Sequence, residues 1–362
     1  MYIKIKSLVI LGRWLGPWGK AEVVPKTHCE NIKFSPQRSS KPSLKAKIYT
    51  PLHSKARGAY IIAPGLHFLG PEDARLDKFA RSLAASGLLV YSPYNEDYMA
   101  MEVKKTTIDD YKDFFNDFER RAGKDKLDLS IFSISFGSLM ALQIANDPFY
   151  SKKIKKVIIY GGYAYWNNIC NFLLSVPPKD EKDFSRNDNS IAAIFMHLAS
   201  SLGESKSDIK FLKDSWLKFI KKTWGLNEKE LPQQSKVTLD EILVDCPENL
   251  KKIFISGCKV TDKTFEYFEK ASKTNDELKY LDPAKYCENI SAYVVLIHGK
   301  EDNLIPHTEC DLIYQSLPKT IPKKIFKTNL YEHSNKTNTP FLKKSLRIGR
   351  EIKKLIQFLW SI

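Results

Sequence analysis

The chain has 362 residues, 43% of them apolar, which is enough for one large α/β domain with an insertion or for two domains. Its formal charge is +15, from 57 basic and 42 acidic residues, but 47 of the basic residues are lysines spread through every segment. Such a spread describes a solvated surface. Nucleic-acid binding, which would favour clustered arginines among aromatics, is not expected, while attraction to an anionic membrane surface stays open.

Residues 1–30 read as an N-terminal arm. MYIKIKSLVILGRWLGPWGK has cations, the short apolar run Leu8 to Leu11, and two tryptophans, Trp14 and Trp18. It lacks the longer apolar region and small-residue cleavage site of a signal peptide. The first expectation is a segment packed over the domain; the second is peripheral contact of residues 1–20 with anionic membrane. No segment reaches membrane-spanning length.

Two β-like pieces follow, Asn31 to Ser35 and Lys45 to Thr50, with the turn-rich SPQRSSKPS between them. GAYIIA (Gly58 to Ala63) reads as a buried strand ending in Pro64-Gly65. Leu76, Phe79, Ala80, Leu83 and Ala84 mark a helix face, with Gly87 as its stop. Leu88 to Tyr91 is the next strand, and Ile108, Tyr111, Phe115 and Phe118 mark another helix. The apolar run from Leu127 ends at Ser133-Ile134-Ser135-Phe136-Gly137, where a helical pattern starts at once. IKKVIIY (Ile154 to Tyr160) is a further strand, ending in Gly161-Gly162. Short apolar strands alternating with amphipathic helices predict an α/β fold, a mostly parallel sheet with helices on both faces.

That alternation pauses at residues 163–289, where the pattern is helical. One stripe is Ile191, Ile194, Phe195, Leu198 and Leu202; another runs from Ile209 through Trp216 to Trp224, with Ser207 or Asp208 as its cap. Thr238 to Glu241 fits a capping box, Thr261 to Lys273 is helical, and PPKDEKDFSRNDNS is an exposed loop. Strands resume at Ala292 to Ile297 and Lys324 to Thr328, and Pro340 to Ile362 closes the chain as an amphipathic helix. The expected core is therefore residues 31–162 and 290–362, with 163–289 inserted.

Ser135 stands where strand gives way to helix, the context in which G-x-S-x-G carries meaning. A hydroxyl needs a base, and the base needs a group to orient it. The ends of the later strands supply both: HGKEDNLIP (His298 to Pro306), and Tyr331-Glu332-His333-Ser334. The order Ser135, Asp302, His333, with separations of 167 and 31 residues, is that of neither chymotrypsin nor subtilisin.

With Pro64-Gly65-Leu66-His67, the elbow at Ser133 to Gly137, and HGKEDNLIP followed by YEHS, the chain resembles the α/β-hydrolase superfamily, in its serine esterase, lipase or dienelactone-hydrolase-like forms. The resemblance implies Ser135 as nucleophile, His333 as general base and acid, and Asp302 as the residue orienting the imidazole. It implies an oxyanion hole from the backbone N–H groups of Leu66 and Phe136, with His67 beside it as a substrate contact or a support, and a helical cap or lid over 163–289. It departs from the pattern at Ser133, which replaces the first glycine.

His298 is expected as a structural histidine, His307 as a helix-start residue, and Glu301 and Glu332 as solvent-facing. Neither Ser133 nor Ser138 has small residues placed two before and two after it on the turn. Asp97 follows a strand end but precedes the nucleophile in the chain. Metal-ligand spacing, GxGxxG and GxxxxGK[ST] are all missing, so no metal or other cofactor is implied. The six cysteines have no C-x-x-C spacing and are expected to be reduced thiols in a cytoplasmic protein, with a membrane-peripheral position as the alternative. The expected partner is a small-molecule ester, and Trp166, Phe172, Leu173, Trp216 and Trp224 would suit its apolar acyl part unless they pack within the insertion. A carboxylesterase or lipase is preferred to a peptidase, with thioesterase activity in the same mechanistic class. The competing class is a non-catalytic protein of this fold that binds an apolar ligand or a membrane surface.

Overall fold

The computed structural model describes residues 2–15, 23–174, 188–226, 229–273, 276–329 and 345–362. The chain opens with helix α1 (Tyr2–Leu15) and strands β1 (His28–Phe34), β2 (Leu44–Thr50) and β3 (Ala59–Ala63). Helix α2 (Ala74–Ala85), strand β4 (Leu89–Pro93), the one-turn helix α3 (Glu96–Met99) and helix α4 (Thr107–Gly123) follow. Then come β5 (Leu129–Ile134), α5 (Ser138–Asn146), α6 (Pro148–Ser151) and β6 (Ile154–Tyr160). Helices α7 (Trp166–Leu174), α8 (Asp188–Leu198), α9 (Lys206–Thr223), α10 (Leu231–Val244), α11 (Glu248–Cys258) and α12 (Thr264–Lys273) form the helical stretch. The chain ends with β7 (Tyr293–Gly299), α13 (Thr308–Ser316), β8 (Lys323–Thr328) and α14 (Ser345–Ser361).

The eight strands make one sheet in the order β1-β2-β4-β3-β5-β6-β7-β8. β2 runs antiparallel to both of its neighbours, and the pairs from β4 onward are parallel. The expected fold class is the one found. β3 is buried along its whole length, as AYIIA requires of a central strand. Its alternate residues part to the two faces. Tyr60 and Ile62 join Phe132, Ile158, Val295 and Ile297 in a core with Leu11, Leu83 and Leu355 of α1, α2 and α14. On the other face, Tyr91 packs edge-on against Phe114 and Phe118 of α4.

Local signals explain most boundaries. Asp73 caps α2 by accepting from the N–H groups of Arg75 and Leu76, and Gly87, at φ +103°, ends it. The β1–β2 connection is fastened by Asp113 of α4, whose Oδ2 accepts the N–H groups of Gln37, Arg38 and Ser39 at 3.1, 2.7 and 2.9 Å. The first half of the arm, Tyr2–Leu15, is a helix, held by Leu11 in the core and by Ser7, whose hydroxyl donates to the Ser86 carbonyl; residues 16–22, with Trp18, lie outside the described residues, and β1 takes the end of the arm from His28.

The chain divides into two compact units: residues 1–99, 104–164 and 282–362, and residues 100–103 with 165–281. The second is helical. Three expectations for this stretch need correction. α9 is capped by Ser205, whose Oγ accepts from the N–H of Asp208, and not by Ser207 or Asp208. Thr238 opens no helix: α10 has already begun at Leu231, with Pro232 in its first turn, and Thr238 Oγ1 is buried, accepting from Gln234 Nε2. Asp188 to Ser190 begin α8 and do not end the loop; residues 175–187 lie outside the described residues. Trp216 is fully buried, donates to the Phe254 carbonyl and stacks edge-on against Phe195, so it serves packing. Trp166 and Leu173 are buried too.

His197 ties the short segment 100–103 to α8. Its Nε2 accepts the Val103 N–H at 3.0 Å, and its Nδ1 lies 2.8 Å from the Ala193 carbonyl, so the neutral ring carries its proton on Nδ1. Burial pushes its pKa below 6.5, against the opposing pulls of the Ala193 carbonyl and Glu102. The unfolded chain therefore takes up the proton first, and stability is lost as pH falls below about 6.5. Thermal unfolding should show a steeper fall in Tm between pH 7.5 and 5.5 for the wild type than for His197→Gln, with about 1–2 °C per kcal/mol lost. Identical pH profiles would remove His197 from this account.

Candidate active site

Three strand ends converge on Ser135. The register sets Ile134 of β5 beside Tyr160 of β6, and Tyr160 beside Ile297 of β7, so the three strands reach one level together. Ser135 follows Ile134 directly, and His298 to Asp302 follow Ile297, two strands away, or about 10 Å. On the other side, Ala63 of β3 pairs with Ser133, and Pro64-Gly65-Leu66 leave β3 next to the elbow.

The elbow itself is strained and tightly packed. Ser135 has φ +52°, in the left-handed region that a residue with a Cβ avoids at a cost of about 1–2 kcal/mol. A Cβ on Gly65 would stand 3.4 Å from the Cβ of Ser135, so the loop after β3 passes against the serine. A Cβ on Gly137 would lie 2.0 Å from the Ala63 carbonyl oxygen, which no real contact permits. The two flanks of the motif therefore differ: the later one requires glycine, while the earlier one accepts Ser133, fully buried with its hydroxyl donating to the Ile158 carbonyl at 3.2 Å. The sequence treats the flanks alike; the structure shows that only one faces a backbone wall.

Asp302 is buried in the turn after β7. Its Oδ1 accepts the N–H groups of Leu304 and Ile305 at 2.9 and 2.8 Å. Its Oδ2 lies 3.3 Å from Nε2 of His298. That nitrogen is also 2.9 Å from the Ile305 carbonyl. Facing two oxygens, Nε2 carries the ring's proton, and His298 holds the turn that holds Asp302. The expected structural histidine thus has a specific partner four residues on, which no periodicity would single out.

His67 belongs to the loop after β3. Its Nδ1 accepts the Leu69 N–H at 3.2 Å, its Nε2 lies 3.2 Å from Asp73 Oδ2, and its ring stacks on Phe68. Burial lowers its pKa against the pull of Asp73, so the ring is neutral near pH 7. It braces the loop that carries Leu66. Phe136 is buried, and its carbonyl accepts from the Tyr98 hydroxyl at 3.2 Å. Tyr98, 38 residues back in α3, escaped the sequence reading because nothing local links it to the elbow.

Glu301 is exposed, and His307 stands at the start of α13, both as expected. Asp97 is tied to Thr107, Lys104 and Lys41. Ser138 Oγ accepts from the Tyr163 N–H. His333, with Glu332, falls outside the described residues, so its placement rests on the sequence.

No protein-family profile and no curated protein sequence matches the chain. Solved structures do resemble it. The Pyrococcus horikoshii acylaminoacyl peptidase aligns over 92% of this chain and 40% of its own, at 14% identity and TM-score 0.46. The esterase of Pyrobaculum calidifontis aligns over 99% and 90%, at 14% identity and TM-score 0.44. The esterase domain of a Rhodothermus marinus protein aligns over 84% and 89%, at 12% identity and TM-score 0.44. This chain thus spans about 40% of the length of the peptidase it resembles.

Gly137→Ala should cost about 3 kcal/mol or more, because the new methyl meets a carbonyl and not a mobile side chain. Denaturant unfolding checks this, with Gly123→Ala as the control: the space there is open. Equal midpoints for the two variants would contradict the packing described.

Proposed function

We propose that this chain, which has the α/β-hydrolase fold, is a serine hydrolase that cleaves carboxylic esters. The observation that carries the reading is Ser135 itself, a non-glycine residue held at φ +52° between β5 and α5. Strain of this kind persists only where the surroundings over-determine it, and it favours a hydroxyl projected clear of the sheet.

In the proposed reaction the Ser135 hydroxyl attacks the acyl carbon while His333 takes its proton. The developing oxyanion is received by the N–H groups of Leu66 and Phe136; such a donor is worth about 10²–10³ in rate. His333 then passes the proton to the departing alcohol. Water, activated by the same imidazole, releases the acid from the acyl-enzyme. Asp302 keeps the imidazole in the tautomer that can accept at Ser135. Its Oδ1 is committed to two backbone N–H groups, so Oδ2, which also faces His298, is the oxygen that would accept from His333 in the proposed triad.

The test is hydrolysis of p-nitrophenyl esters of graded chain length, run beside peptide p-nitroanilides. The wild type should turn over at least one ester, Ser135→Ala should lower kcat/KM by about 10³-fold or more, and Asp302→Asn by about 10³–10⁴-fold. Undiminished turnover by Ser135→Ala would end the proposal. Hydrolysis of the anilides in preference to every ester would move it from esters to peptides.

A further inference from the structure

The inner faces of α1 and α14 end in one core. Leu11 of α1 and Leu355, Phe358 and Leu359 of α14 belong to the same cluster, on the same face of the sheet. Their outer faces therefore share one side of the molecule. Those faces are apolar where solvent would call for polar residues. Ile5 and Val9 of α1 are 44% and 63% exposed, and Ile356 and Trp360 of α14 are 45% and 44% exposed.

Cations accompany them. α1 carries three basic residues and no carboxylate, and α14 carries four basic residues and one carboxylate. That carboxylate, Glu351, is buried and committed to Lys354 and to the N–H of Asn329. Lys6, Arg13 and Lys353 are exposed. The chain's general excess of lysine does not produce this balance, since elsewhere 50 basic residues stand against 41 acids.

We propose that the paired outer faces of α1 and α14 dock the protein on anionic lipid bilayers. Four exposed apolar side chains can enter the headgroup boundary while the cations meet lipid phosphates and carboxylates. Two other occupants fit less well. A second copy would set like charges against one another. A nucleic acid would find aliphatic side chains where it needs hydrogen-bond donors. The contact is adsorption and not insertion: α1 and α14 have 14 and 17 residues, and among the described residues no helix is long and apolar enough to cross a membrane.

The experiment is co-sedimentation of the full chain with phosphatidylcholine vesicles, with and without phosphatidylserine. It needs no hydrolytic activity, so it stands or falls apart from the proposed reaction. Binding is expected only with phosphatidylserine, and it should weaken steeply with salt. Val9→Ser with Trp360→Ser should lower the partition coefficient at least ten-fold, and Lys6→Glu with Lys353→Glu should remove the salt-sensitive part. Because all four positions are exposed, melting curves should match the wild type. The proposal is overturned by equal binding to neutral vesicles, by no binding, or by wild-type binding of both variants. It is also overturned if light scattering shows a dimer that Val9→Ser with Trp360→Ser dissociates, which would give the face to a second copy.

Discussion

Gly137 has no side chain, and the end of β3 occupies the space where one would be. The Ala63 carbonyl oxygen stands 2.0 Å from the position of a Cβ there. That contact presses the turn between β5 and α5 against the loop that leaves β3. Without it, Gly65 could not lie beside Ser135. The left-handed backbone of Ser135 follows from the same constraint, because the chain must reverse from strand to helix within three residues. Packing around the elbow therefore sustains strain of about 1–2 kcal/mol.

Around this point the fold fixes polar groups through backbone atoms. Asp302 is held by two N–H groups, His67 by the Leu69 N–H, and Phe136 through its carbonyl by Tyr98. His298 points its protonated nitrogen at the Ile305 carbonyl and Asp302. Backbone partners cannot swing away as side chains do, so they leave less entropy to lose in the proposed reaction. The same device recurs far from the elbow, where Asp113 gathers three N–H groups of the β1–β2 connection.

The central strands are legible because they are short apolar runs bounded by glycine and proline, and burial on both faces leaves little else they could be. The turn at Ser135 and the strand end before Asp302 are legible through their neighbours: a small residue two after the serine, and a strand ending in His298-Gly299. Other features were not, for identifiable reasons. Thr238 imitates a capping box, but the tertiary packing of α10 starts the helix two turns earlier, and local chemistry yields to it. Ser205 was passed over for Ser207 and Asp208 because three polar candidates stand within four residues. Tyr98 reaches the elbow through a contact that no periodicity encodes, and His298, expected as a structural histidine, has partners in Ile305 and Asp302 that the sequence does not name. The tryptophans of the helical unit looked like an acyl-chain lining, yet Trp216 and Trp166 are spent on its own core.

The arm shows how composition alone can leave two readings standing. Its apolar residues serve the core on one side, through Leu11, and solvent on the other, through Ile5 and Val9. A helix used on both sides needs something for its outer face, and the cations around it limit the choice.

The central claim is that this fold strains and presents one serine for attack. The most direct measurement is reaction of the intact protein with a fluorophosphonate, followed by peptide mass spectrometry to locate the adduct. The account predicts a single stoichiometric adduct on Ser135. No adduct on the folded protein, or one carried by Ser133 or Ser138, would contradict it.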